Sequence, residues 1–389
     1  MRIGLFTDTY YPEINGVAAS VFLLQQELKK RGHEVYVFTT TVPNAPEQEE
    51  GVFRVPSMRC KHISERRLGM FYQHKLDHII RDLHLDIIHT HTEFPLGIFG
   101  RICARERRIP TVHTYHTIYE DYTHYIMPVH VLEKGVKVFA RKYSKFFCNH
   151  GGHIIAPTEK VKHLLEQYQV RTEISVVPTG IDLSKFERSR YGEELIAGKR
   201  KEVGLSGKEK VILYVGRVAQ EKNIGELLSM LPAFFERHAD ARFLVIGDGP
   251  ALEGLKKQAA EEGVAEYVMF AGAKPWDEIG AYYSLGDVFV SASNSETQGL
   301  TYIEAMAAGL PVVARQDDCL AGVLKNGENG FGFLSKDSFL SGLEEVLYAE
   351  NSSTFGENAK KSVLPYSKEV FAEHIEQIYL KKVNEPSHR

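Results

Sequence analysis

The sequence predicts an α/β protein of two domains, each built on a parallel sheet. Three observations predict it. The 389 residues are enough for two domains of ordinary size, each with its own core. Short apolar runs alternate with segments of helical periodicity from Ile3 to Ala314. The alternation pauses once, at Pro178-Thr179-Gly180-Ile181-Asp182, and then begins again. Strands alternating with helices pair in parallel through right-handed crossovers, and two such sheets are expected to face a central cleft.

The elements follow in order. Ile3–Thr7 is an apolar run ending at Asp8, and a loop with Pro12 and Asn15-Gly16 comes next. Val17, Val21, Leu24 and Leu28 recur at helical spacing up to Arg31, where Gly32 stops the helix. Glu34–Thr40 reads as the second strand, followed by buried strands at Asp86–His89, Thr111–His113, His153–Ala156 and Ile174–Val177. The second half offers Val211–Val215, Arg242–Ile246, Val268–Phe270, Val288–Ala292 and Pro311–Ala314. The expected division is 1–180, 181–365, and a last helix in 366–389 that packs back on the first domain. A linker is expected to reach into the charged stretch 185–209.

Composition narrows the function classes. With 43% hydrophobic and 25% charged residues the chain is ordinary globular protein. No apolar run reaches the ~18–20 residues a membrane-spanning helix needs. Met1–Phe6 runs straight into a strand without a signal-peptide layout, so a cytoplasmic location is expected. Cys60, Cys103, Cys148 and Cys319 are far apart and form no C-x-x-C pair, which predicts reduced thiols rather than a zinc site or disulfides. The net charge of −4 conceals an asymmetry: residues 1–180 carry 23 Lys+Arg against 19 Asp+Glu, so the excess acid lies in the rest. A basic first half suits an anionic partner. Nucleic acid is not expected, because no dense basic stripe is interleaved with stacking aromatics and the pI is about 6.5.

In open α/β sheets ligands sit outside the carboxyl ends of the strands, and the polar motifs lie there. Val211–Val215 runs into Gly216-Arg217, with Lys222 five residues on. A guanidinium fork and an ammonium at that spacing suit a diphosphate, although the same two charges also read as solvated loop residues. The segment Ser293–Gly309 is more specific. Glu296 and Glu304 are eight apart, Gly299 allows close backbone approach, and a helix is expected to begin near Leu300. Its first amides, at Leu300 and Thr301 beside Thr297, would form an anion site. Glu304 would then accept from a ribose diol and Glu296 from sugar hydroxyls. Gly249, in the turn after Arg242–Ile246, and Phe270-Ala271-Gly272 suit the lining of a nucleotide-base pocket or plain turns. Asn15 and Gly16 open the first helix near a phosphate or sugar, without the spacing of a dinucleotide fingerprint. Thr111–Tyr125 is dense in polar aromatics and histidines; His113 and His116 there, and His89 and His91 earlier, lack the carboxylates or thiols that complete a metal cage. A hydrogen-bonding histidine in the cleft is expected, and no metal.

Together these residues resemble glycosyltransferase family four, which has the GT-B fold of two Rossmann-like domains, over essentially the whole chain. The resemblance assigns Gly16 to the first helix, His116 to the strand-end histidine, Arg217 and Lys222 to the diphosphate, and Glu296 with Glu304 to the two-glutamate element. Tyr115-His116-Thr117 fits the family pattern better than His113. His89–Phe94, the His113–Tyr125 run and Ser295–Tyr302 are most similar to bacterial 1,2-diacylglycerol 3-glucosyltransferases. The resemblance implies UDP-glucose as donor, 1,2-diacylglycerol as acceptor and retention of the α-anomeric configuration, giving 3-O-(α-D-glucosyl)-diacylglycerol. It implies no cofactor. The expected sites are then His116, Arg217, Lys222 and Glu296 for catalysis. Asn15, Gly16, Gly216, Gly249, Thr297, Gly299, Leu300, Thr301 and Glu304 are expected to bind the donor.

A lipid acceptor agrees with the stretch Val129–Phe147. There Lys134, Lys137, Arg141, Lys142 and Lys145 interleave with apolar residues, as on a helix lying on an anionic bilayer. An ordinary core-packing helix with a solvated cationic face reads the same way. The expected location is the cytoplasmic face of the cell membrane. Two alternatives stay open: a hexosyltransferase with a soluble or phosphoinositide acceptor, and a UDP-sugar epimerase.

Overall fold

Continuous apolar runs form the middle of each sheet, because a parallel strand covered by helices on both faces buries every side chain. The structure is a computed structural model and describes residues 1–13, 15–43, 45–46, 49–59, 67–69, 74–122, 133–350 and 352–385. The chain forms two compact units, Met1–Gly180 with Lys368–Arg389, and Ile181–Ser367.

The first unit contains β1 (Arg2–Phe6), β2 (Glu34–Thr40), β3 (Val52–Val55), β4 (Ser57–Arg59), β5 (Arg67–Gly69), β6 (Ile87–Thr90), β7 (Thr111–Thr114), β8 (His153–Ala156) and β9 (Ile174–Val176). Seven of them form a sheet in the order β3-β2-β1-β6-β7-β8-β9, and β4 and β5 make a separate antiparallel pair. The chain moves outward from β1 to β3 and then returns to β6 on the other side of β1. Such a reversal opens a crevice at the carboxyl ends of the two central strands. One face of the sheet is covered by Val21, Leu24 and Leu28 together with Phe371, Ile375 and Tyr379 of the helix Lys368–Asn384. The other carries Phe6, Phe38 and Phe99.

The second unit contains β10 (Lys210–Val215), β11 (Ala241–Ile246), β12 (Val268–Gly272), β13 (Val288–Ser291), β14 (Val312–Arg315) and β15 (Gly330–Phe333). They pair in the order β12-β11-β10-β13-β14-β15, so the reversal falls between β10 and β13. Strand alternation divides β10 between two cores: Ile212 and Tyr214 join Phe234 and Phe243, while Val211, Leu213 and Val215 join Phe289 and Tyr302.

Two expectations are corrected. The stretch 185–209 is folded rather than linking: it holds the helix Glu193–Glu202, and Phe186, Val203 and Leu205 are buried in the second unit's core. The edge strands β3 and β15 were not expected. Glycines alternate with the two phenylalanines of β15, and Arg54 interrupts β3, so neither presents a continuous apolar run.

Candidate functional site

Residues after β10 and β13 meet at the reversal point of the second sheet. Lys222 closes a short turn, Gln220–Lys222, and Asn223 follows in the left-handed conformation with φ 51°. The Asn223 amide donates to Ala292 O at 3.2 Å, which ties this turn to the end of β13. Lys222 Nζ thereby reaches Glu296 and donates to its Oε1 at 2.5 Å, with both side chains mostly covered. Arg217 is exposed on the same loop.

Gly299 has φ 74°, and a Cβ there would lie 2.2 Å from the Tyr302 ring. This left-handed residue turns the chain into the helix Leu300–Ala307, and no side chain caps that helix. Its first amides, at Leu300 and Thr301, have no partner within the helix. Gly249 has φ 157°, and a Cβ would lie 2.3 Å from Val218 O. Only bare backbone lets the turn after β11 close against the loop that carries Arg217. Gly216 continues β10 by donating to Ile246 O at 3.0 Å.

Glu304 lies one turn into that helix. Its Oε2 accepts from the Tyr283 hydroxyl at 2.7 Å. Burial pushes its carboxyl up to about 7, against the opposing effects of Tyr283 and the Lys185 ammonium. Tyr283, Lys185 and Trp276 were not singled out in the sequence. Lys185 lies in a charged stretch that reads as linker, and Tyr283 reads as core.

In the first unit, β6 and β7 bring the histidines together. His113 is fully buried, with Nδ1 2.9 Å from Thr90 O and Nε2 3.0 Å from Glu93 Oε1. Both of its ring nitrogens are thus committed within the fold. Burial pushes Glu93 up, but hydrogen bonds from His113 and Tyr119 outweigh it and hold the carboxyl below its ordinary value. His89 bonds Tyr379 and Thr114 and is equally spent. His116, just past β7, is only partly covered. Its Nε2 lies 3.1 Å from His91 Nδ1, and burial lowers it to about 4, so the ring is neutral at physiological pH. Of the four histidines, His116 is the one that is only partly covered.

Asn15 Oδ1 accepts from Ala18 N at 2.9 Å and its Nδ2 donates to Thr9 Oγ1 at 2.7 Å, so the side chain caps the helix Gly16–Lys30. Gly16 is exposed at that helix start.

The basic stretch forms the helix Glu133–Asn149. Phe147 and Cys148 are buried, whereas Phe139 and Phe146 are 68% and 62% exposed beside the exposed Lys142. Not every cation is available: Arg141 Nη2 donates to Glu120 at 2.9 Å and Lys145 Nζ to Gln169 at 2.6 Å. Lys137 is partly covered, and the Lys134 side chain lies outside the described residues, as do Cys60 and Thr123–Tyr125. Cys103, Cys148 and Cys319 are buried free thiols. Among the described residues no helix is long and apolar enough to cross a membrane, and no group of His, Cys, Asp or Glu is arranged to hold a metal ion.

Comparison with known proteins places this geometry. Residues 14–185 match the family described as Glycosyltransferase Family 4, and residues 196–362 match Glycosyl transferases group 1. Alpha-monoglucosyldiacylglycerol synthase of Streptococcus pneumoniae is 38% identical over 98% of this chain and 86% of its own length. The protein of the same name from Acholeplasma laidlawii is 36% identical over 98% and 97%. The crystal structure of Anabaena HepE in complex with UDP and glucose superposes with a TM-score of 0.78 at 16% identity, covering 98% of this chain and 100% of that one.

Proposed function

From the premise that the chain belongs to glycosyltransferase family 4 and is a glycosyltransferase of the GT-B fold, we propose that it transfers glucose from UDP-glucose to 1,2-diacylglycerol with retention, forming 3-O-(α-D-glucosyl)-diacylglycerol. The acceptor and sugar follow the printed names of the two synthases. The donor chemistry follows from the site.

The observation that carries it is the Lys222–Glu296 pair beside an uncapped helix start. The leaving group is a diphosphate, and negative charge grows on it as the glycosidic bond breaks. Lys222, Arg217 and the amides of Leu300 and Thr301 offer donors to that charge, with Thr297 beside them. Fixed donors in a partly dry site stabilise a developing anion far better than water can, because they need not reorganise. Glu296, held by the same lysine, then accepts from sugar hydroxyls. One contact therefore sets the sugar relative to its leaving group. Glu304 accepts from the ribose diol, and Gly216 and Gly249 let the backbone approach the nucleotide. Gly16 gives a bare helix start in the first unit. His116 is neutral and donates or accepts a hydrogen bond at the acceptor hydroxyl and the sugar, which it orients.

The lipid acceptor agrees with the helix Glu133–Asn149, whose exposed Phe139 and Phe146 flank Lys142. Seated on an anionic bilayer, each free cation contributes about 1 kcal/mol, which gives reversible attachment at the cytoplasmic face. The exposed Lys142 carries more of this than Arg141 and Lys145, which are engaged within the fold.

The test is transfer from radiolabelled UDP-glucose to dioleoylglycerol in mixed micelles, with the anomer assigned by proton NMR. The expected product is the α-glucoside, and Lys222→Ala is expected to lower turnover by roughly 100-fold or more. A β product, transfer only to a soluble polyol, or a Lys222→Ala enzyme at near-normal rate would each refute the corresponding part.

A further inference from the structure

Lys185 is an anomaly that the donor reading above leaves unexplained. Its ammonium is buried, accepts no neighbour as a hydrogen-bond partner and makes no ion pair among the described residues. Buried charges are ordinarily paired, since an unpaired one loses its hydration without compensation. Yet the fold holds Lys185 firmly. The Tyr191 hydroxyl donates to its carbonyl. Gly280 lets the helix Ile279–Tyr283 lie against it, for a Cβ there would sit 2.2 Å from Lys185 O. The next residue, Phe186, packs edge-on against the Tyr283 ring at 5.4 Å. The ammonium itself lies 3.1 Å from the centre of the Trp276 ring.

Glu304 is the carboxylate near this ammonium. Glu304 Oε2 accepts from Tyr283, and its Oε1 takes no hydrogen bond among the described residues. Lys185 is near enough to Glu304 for the two charges to interact, but they form no ion pair. A fixed donor and a fixed acceptor that do not touch leave room for a group that is both acceptor and donor. A hydroxyl is such a group, and a vicinal diol is two of them.

We propose that Lys185, stacked on Trp276, is a donor-site residue that grips the ribose diol of the sugar nucleotide together with Glu304. One hydroxyl oxygen accepts from the ammonium while the diol protons go to the carboxylate, so both buried charges are satisfied only when the nucleotide is bound. This rests on the reading of the donor as a sugar nucleotide.

Trp276 is the one tryptophan in the chain and so reports on the site by its own fluorescence. The experiment titrates the full-length protein with UDP, 2′-deoxy-UDP and 3′-deoxy-UDP, by Trp276 emission and by calorimetry, in the wild type, Lys185→Met and Lys185→Arg. Met keeps the apolar stem over Trp276 and removes only the charge. UDP is expected to bind Lys185→Met roughly tenfold or more weakly, the loss typical of a charged hydrogen bond. The arginine variant, which still donates, is expected to recover most of that loss. At least one deoxy nucleotide is expected to lose less than about threefold from Lys185→Met, because the hydroxyl that the lysine serves is already gone. Equal losses for all three nucleotides would place Lys185 on the base or the phosphates and overturn the proposal. So would a Lys185→Met protein that binds UDP like the wild type. A wild-type protein that binds no UDP by either method would instead sink the donor reading itself.

Discussion

On the proposed reading Glu304 makes the donor site sensitive to pH, in the direction set by its burial. A ribose hydroxyl donates well to a carboxylate and poorly to a carboxylic acid. The ordinary value near 4.5 is pushed up to about 7, by burial first, with the Tyr283 hydroxyl and the Lys185 ammonium pulling it back. The ionised fraction therefore grows as pH rises through neutrality, and donor affinity grows with it. From pH 8 to pH 6 that fraction falls about tenfold, so the dissociation constant of UDP-glucose is expected to rise about tenfold. UDP-glucose is the right probe because its diphosphate diester has no ionisation in this window. Calorimetry at half-unit steps reads the curve. Tyr283→Phe removes a hydrogen bond to the ionised form, so its inflection moves to higher pH; Glu304→Gln flattens the curve. The stability of the free protein runs the other way. A carboxyl raised on folding favours the folded state below about 4.5, and that contribution is lost as pH rises through about 7, so the melting temperature of the free enzyme falls across the window in which binding improves. Affinity that is flat from pH 6 to 8, or an inflection that moves to lower pH in Tyr283→Phe, would refute the reasoning.

Three further outcomes are expected. Gly299→Ala forces a left-handed backbone on a residue with a Cβ and drives that atom into Tyr302, so the helix start must shift; donor affinity and melting temperature should both fall, by about 1–3 kcal/mol of stability in urea unfolding. Phe139→Ser with Phe146→Ser removes two exposed rings, each contributing about 1.5–3 kcal/mol when buried in a bilayer; co-sedimentation with anionic vesicles should fall at least tenfold while UDP binding is unchanged, and unaltered sedimentation would count against this helix as the lipid-facing surface. Tyr379→Phe leaves His89 Nδ1 without its partner at 2.6 Å and should lower unfolding stability by about 1–3 kcal/mol without altering donor affinity.

What was legible in the sequence was set by range of interaction. Central strands such as β1 and β10 declare themselves locally, because burial on both faces demands continuous apolar runs such as Ile3–Phe6 and Val211–Val215. The loop before the helix Leu300–Ala307 was legible for a similar reason: Gly299 and the helix it starts are neighbours in sequence, and a left-handed turn favours glycine. The capping role of Asn15 was not legible, because a cap and a ligand contact want the same residue type and only the positions of Ala18 and Thr9 show the cap. Lys185 and Tyr283 were missed because their meaning is not local. Lys185 reaches Trp276 across the loop after β12, and Tyr283 reaches Glu304 from another helix, distances in sequence that no periodicity spans.

The same contrast separates the two halves of the reaction. In the second unit Lys222 is paired with Glu296, whereas Lys185 lies near Glu304 and forms no ion pair with it. In the first unit His89, His113 and Glu93 have hydrogen-bond partners within the fold, while His91 Nε2 has none among the described residues. A site that binds a polyanion and a polyol needs unsatisfied donors and acceptors before its ligand arrives. A site that receives an apolar lipid needs few polar groups beyond the one that meets the hydroxyl, and His116 with its neutral ring is suited to that single task. On this argument donor affinity should depend on many residues of the second unit, each with a substantial effect. Acceptor selectivity should depend on apolar shape, and single polar substitutions in the first unit other than at His116 should change turnover little unless they unfold it.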